Sequence, residues 1–171
     1  MKKLSILVSL VALFAISSLT VNAQVTASAT ASASIVTPIS ITNAGDMNFG
    51  NVAVSAAAGT VVLDPASTRS ITGGVTLPVV TGTVAAAHFN VAGTPGYTYS
   101  ITLPGAAILI ESGSDNMTVD NFTSNPNLTG TLDGTLGTQT INVGATLHVG
   151  ANQASGTYTS ATPFNVTVNY N

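Results

Sequence analysis

The sequence predicts an all-β protein, an antiparallel sandwich, and three features predict it. From Gln24 onward, apolar residues recur at every second position in short runs, the period of a strand buried on one face. Gly, Pro, Asn and Asp punctuate these runs in the manner of turns. No convincing amphipathic helix interrupts them.

The chain opens on a segment with the form of a secretory leader. Lys2 and Lys3 supply the positive end, residues 4–19 the short apolar stretch, and Val21-Asn22-Ala23 the small-residue cleavage signature. Ser5, Ser9, Ser17 and Ser18 interrupt the apolar stretch, which falls short of the ~20 residues that span a bilayer. The expected organisation is a leader over 1–23, an N-terminal extension over 24–36 and one sandwich domain over 37–171, long enough to bury a real core.

Charge is scarce. Only 5% of residues are charged, against ~25% in ordinary soluble domains, so Ser, Thr, Asn and Gly must wet the surface. Loss of Lys2 and Lys3 with the leader takes the formal charge from −3 to −5, which argues against nucleic acid as a partner. The chain has no cysteine, so stability in an exported domain here is expected from sheet packing, with a partner's strand as a further source.

Residues 25–41 carry an apolar residue at every odd position except Thr37. As one strand they would span ~55 Å, whereas a chain of this size has a radius of gyration near ~15 Å and ordinary strands run about 5–6 residues. Part of the run is therefore expected outside its own domain, offered to a neighbour. Its apolar positions are Val25, Ala27, Ala29, Ala31, Ala33 and Ile35, small knobs that leave much of any binding to main-chain hydrogen bonds along an open sheet edge. Two other readings stay open: a flexible Ala/Ser/Thr linker, or a strand folded back on its own sandwich and bent near Pro38. In each, Ile39 and Ile41 belong to the domain body.

Eight further strands are expected, over residues 47–54, 60–64, 70–77, 83–91, 97–103, 117–122, 140–149 and 164–170. Parity assigns core faces: Ala85, Ala87, Phe89 and Val91; Tyr97, Tyr99, Ile101 and Leu103; Ile141, Val143, Ala145, Leu147 and Val149. Turns are expected at Asp64-Pro65, Gly73-Gly74, Gly93-Thr94-Pro95-Gly96 and Asp133-Gly134, and more weakly at Asp115-Asn116. Residues 130–137 form a tiny near-repeat that reads as a loop. The final run alternates Phe164, Val166, Val168 and Tyr170 with polar neighbours, so the chain closes on a strand, and this strand marks the expected acceptor edge.

Nothing points to catalysis. His88 and His148 fall on the polar faces of their strands, where solvent exposure accounts for both. Asp115-Asn116 and Asp120-Asn121 lack EF-hand spacing, and no Gly-x-Ser-x-Gly elbow occurs. No catalytic, cofactor-binding or metal-binding residue is assigned, and no cofactor is expected. The Asn-x-Thr triplets at Asn116, Asn121, Asn127 and Asn165 are those a Thr-rich chain contains by chance. Arg69 and Asp64 are expected to tie one turn by an exposed ion pair of small worth.

Several local signatures carry a family likeness: Asn48-Phe49-Gly50, Gly59-Thr60-Val61-Val62-Leu63-Asp64-Pro65, Arg69-Ser70, Tyr99-Ser100-Ile101, Val143-Gly144-Ala145-Thr146-Leu147 and Val166-Thr167-Val168-Asn169-Tyr170. From Pro38 to Asn171 the chain resembles the bacterial domain-of-unknown-function family 4402. That family in turn resembles the pilin-like subunits assembled by chaperone and usher systems, immunoglobulin-like sandwiches missing one strand that a neighbour's N-terminal extension replaces. The resemblance implies copies of itself or related subunits as partners, together with a periplasmic chaperone that pairs with the final strand and an outer-membrane usher. The chain departs from many pilins in having no disulfide and in presenting alanines where bulky residues are usual.

These readings converge on an exported structural subunit of a surface filament, polymerising by strand addition through residues 25–35. Two alternatives are a monomeric adhesive or carbohydrate-binding sandwich, which would need aromatic side chains to spare, and a small outer-membrane barrel. Against the barrel, aromatic residues make up only 5% of the chain and Trp is absent, too few for two girdles.

Overall fold

The computed structural model describes residues 24–171; the expected leader lies outside the described residues. Val36–Asn171 forms one compact unit, and residues 24–35 belong to another. Within residues 24–39 no strand forms, and Val25 and Ile35 are 92% and 100% exposed. Of the long alternating run, only Ser40 and Ile41 enter a strand.

Ten strands follow: β1 (Ser40–Gly45), β2 (Ala53–Leu63), β3 (Arg69–Thr76), β4 (Ala87–Ala92), β5 (Thr98–Thr102), β6 (Ile108–Ser112), β7 (Asp115–Asn125), β8 (Thr129–Thr131), β9 (Thr138–Val149) and β10 (Thr167–Tyr170). All pairings are antiparallel, and the described residues contain no helix. The larger sheet runs β1-β4-β9-β2-β3, with β7 also on β9 and β6 on β7; the smaller runs β10-β5-β8. Among the described residues neither sheet closes on itself, which is the arrangement of a sandwich and not of a barrel.

The clean parity of β9 explains its central place. Ile141, Val143, Ala145, Leu147 and Val149 are all buried, at 3% exposure or less. The first half of β9 pairs with β4 and the second with β2, while β7 spans the junction. Gly144 sits at that junction, where a Cβ would run into the Leu63 carbonyl and the backbone of Asp64.

Two hydrophobic clusters result. In the first, Ala87, Val91, Ile141 and Val143 of the larger sheet meet Tyr99, Ile101 and Val168 of the smaller, with Leu132 and Val166 alongside. This packing makes the structure a sandwich. The second cluster gathers Val61, Val75, Val119, Ala145, Leu147 and Val149. Met47 and Phe122 pack against both. Each fully buried Ile or Val contributes ~1.5–3 kcal/mol relative to exposure.

Several local expectations need correction. Residues 47–52 form a loop bridged by Asn48 and Ala85, not a strand. Gly50 there has a φ of 68°, which breaks an extended run. Gly73-Gly74 lies inside β3, not in a turn; side chains there would collide with the carbonyls of Ala58 and Ala57, where β2 bulges between Val54 and Gly59. Asp115 and Asn116 open β7, and the reversal before them belongs to Gly113 and Ser114. Residues 130 and 131 of the near-repeat belong to β8, and β6 was not foreseen. The turns at Asp64-Pro65, Gly93-Thr94-Pro95-Gly96 and Asp133-Gly134 are present. Asp64 Oδ1 accepts from the Ala66 and Thr68 amides to brace the first of them.

Candidate strand-accepting edge

The last strand, β10, pairs with β5 from Thr167 opposite Thr102 to Tyr170 opposite Tyr99, and among the described residues with no second strand. The Asn171 amide donates to the Thr98 carbonyl at 3.3 Å, which sets the phase of the ladder. In an antiparallel pair, hydrogen-bonded and non-bonded positions alternate, so Val168 and Tyr170 direct their N–H and C=O away from β5. The same residues turn their side chains into the first cluster. β10 therefore combines an unpaired backbone row with an apolar floor.

That floor is well filled. Val166 and Val168 are only 9% and 7% exposed. The Phe164 ring meets Phe89 edge-on at 6.2 Å and Phe122 at 5.0 Å. Ile39, Ile41, Phe89, Phe122 and Phe164 remain half-buried around it. The strand expected over 164–170 forms only from Thr167, so Val168 and Tyr170 lie on β10 while Phe164 and Val166 lie on the segment leading into it, and all four side chains pack on the first cluster. The six expected donor residues, Val25, Ala27, Ala29, Ala31, Ala33 and Ile35, are exposed.

Across from β10 stands β1, which among the described residues pairs only with β4. The two edges approach each other without forming a ladder. A latch ties them at one end: the Tyr170 hydroxyl donates to the Thr37 carbonyl at 2.8 Å and accepts the Thr94 amide at 2.7 Å. Thr37 and Thr94 are joined again, amide to Oγ1, at 2.9 Å. Tyr97 stacks edge-on against the Tyr170 ring at 5.6 Å. Gly93 is required beneath this latch, since a Cβ there would strike the Tyr170 hydroxyl. Neither β1 nor β10 carries a charged residue, so the gap between them is electrically neutral.

The remaining sheet edges are blunted. On β8, Gln139 Oε1 takes the Thr131 amide at 2.9 Å and the Tyr99 hydroxyl at 2.7 Å. On β6, Glu111 and Thr159 exchange backbone hydrogen bonds at 2.8 and 3.0 Å. On β3, Gly73 adopts a left-handed φ of 66° that breaks the regular row. Such devices are how sheet proteins avoid unwanted pairing.

Elsewhere the polar groups serve structure. Arg69 does not pair with Asp64; its Nη1 donates to the carbonyls of Phe49 and Asn51 at 2.7 and 2.9 Å. The carbonyls of the 47–52 loop lie nearer than the carboxylate, which is already engaged by its own turn. His148 Nε2 lies 2.8 Å from Asp120 Oδ1, a surface contact between β9 and β7 that strand register creates and sequence spacing hides. Among the described residues no group of three potential metal ligands forms around it. Burial pushes the Tyr99 hydroxyl up to about 12. Amide hydrogen bonds from Leu136 and Thr135 hold the Asp133 carboxyl below its usual range. Sequence reading missed Thr37, Thr94 and Gln139, whose roles depend on partners across sheets.

Fold and edge together define a two-sheet antiparallel sandwich in which, among the described residues, β10 and β1 face one another across an uncovered gap. The DUF4402 family, a domain of unknown function, matches residues 39–170, and the chain belongs to it. No curated protein and no solved structure matches the chain.

Proposed function

We propose that this protein is an exported structural subunit of a bacterial surface filament, joined copy to copy by strand addition. Residues 25–35 of one copy complete the β10 edge of the next. The observation that carries this reading is the β10 edge itself, where Val168 and Tyr170 present unpaired backbone groups above a buried apolar cluster. Main-chain pairing along such an edge supplies affinity, and alternate side chains supply register. The supporting sequence feature is an alternating arm that forms no strand within its own chain. A periplasmic chaperone and an outer-membrane usher are the partners this reading requires, the chaperone covering β10 until assembly.

The test compares the protein beginning at Gln24 with a form lacking residues 24–36. Size-exclusion chromatography and native gels should show ladders or polymers from the longer form alone. Monomers of equal stability from both forms would refute the proposal and leave the arm a linker.

A further inference from the structure

We infer that the β10 edge selects its partner by excluding bulk, and that the partner strand is the four-alanine stretch, residues 27–33, of a second copy. This inference rests on the strand-addition reading and deepens it. The acceptor offers four alternate positions across seven residues: Val168 and Tyr170 on β10, and Phe164 and Val166 on the segment that leads into it. The arm offers four alternate alanines, Ala27, Ala29, Ala31 and Ala33, across the same number. Both spans are about 20 Å when extended. The larger Val25 and Ile35 then fall beyond the two ends of the acceptor.

The size limit comes from the floor. Val166 and Val168 are nearly buried before any strand arrives, and Phe164 is braced by Phe89 and Phe122. An added strand must lie about 4.8 Å from β10 to form its ladder, so its inward side chains meet surface that is already packed. A methyl group fits such a surface; an isobutyl group forces side chains off their rotamers or holds the backbones apart. The bond from Tyr170 to Thr37 shuts one end of the gap and fixes how far the strand can slide. The arm and the gap are also both uncharged, so neither repels the other.

The experiment uses the chain from Gln24 to Asn171 in three forms: unaltered, Ala29→Leu/Ala31→Leu, and Val25→Leu/Ile35→Leu. The altered residues are exposed and outside the compact unit, and matching melting curves would verify that each form folds. Light scattering should show about tenfold weaker assembly for the Ala29→Leu/Ala31→Leu form. The Val25→Leu/Ile35→Leu form should assemble as the unaltered protein does. Because the first variant keeps its acceptor edge, adding it to unaltered protein should shorten the polymers. Equal or stronger assembly of the Ala29→Leu/Ala31→Leu form would overturn the size limit while leaving strand addition intact. A purely monomeric unaltered chain would overturn both.

Discussion

The hydroxyl of Tyr170 donates to the carbonyl of Thr37 across 133 residues of sequence, joining the penultimate residue of the chain to the lead-in of β1. The same oxygen accepts the Thr94 amide, so one phenol ties together the ends of two sheets and the β4–β5 turn. Tyr170→Phe keeps the ring against Tyr97 and removes both bonds. The expected loss is about 1 kcal/mol, a fall of ~3 °C in Tm for a domain of this size. A thermal melt checks it, and an unchanged Tm would show that the latch adds no stability.

Gly93→Ala attacks the same latch from below, because the new methyl group collides with the Tyr170 hydroxyl. The expected cost is about 1–3 kcal/mol. In the Gly93→Ala/Tyr170→Phe double variant the colliding oxygen is gone, so the combined loss should be smaller than the sum of the two. Strict additivity in a urea melt would mean that the two residues do not share this contact.

Arg69→Ala should prove costly for a chain with so few charges. The guanidinium holds two carbonyls of the 47–52 loop, whose Met47, Phe49 and Val52 pack against the second cluster. Hydrogen bonds to a charged group contribute about 1.5–3 kcal/mol, and denaturant unfolding should show a loss in that range. Asp64→Asn should leave the Arg69 contacts untouched, since none of them runs to Asp64.

Alkaline stability should report on Tyr99. Its pKa rises from the ordinary phenol value of 10.0 to about 12 because the folded protein desolvates the phenol. Between those values the unfolded chain loses a proton that the native state keeps, so stability falls as pH rises. The contribution is intact below about pH 10 and is lost progressively up to about pH 12. Urea midpoints across this window should decline, and Tyr99→Phe should flatten the decline attributable to this residue.

What could be read from the residues was periodicity; what could not was topology. Five apolar residues at odd positions identified the inner face of β9 because alternation and burial coincide there. Residues 47–54 misled for a related reason: Met47 and Phe49 alternate like a strand yet reach the core from a loop, as does Val52 out of parity with them, so burial occurs without a ladder. Gly73-Gly74 signals a turn or a bulge equally well, and only the carbonyls of Ala57 and Ala58 decide between them. β8 is three residues centred on Gly130, whose missing side chain makes room for the Tyr99 ring. The apolar row from Phe164 to Tyr170 was legible. That β10 ends a sheet while β8, β6 and β3 are capped or kinked depends on Gln139, Thr159 and Gly73 meeting distant backbone.

The blunting of three edges bears on the architecture of any assembly this molecule builds. If residues 25–35 of one copy fill the gap of the next, as proposed, each copy has one arm to give and one gap to fill, and the two joints are unlike. Growth of that kind would be unbranched and directional, without cross-linked mats, and every fibre would end in a bare gap at one tip and an unused arm at the other.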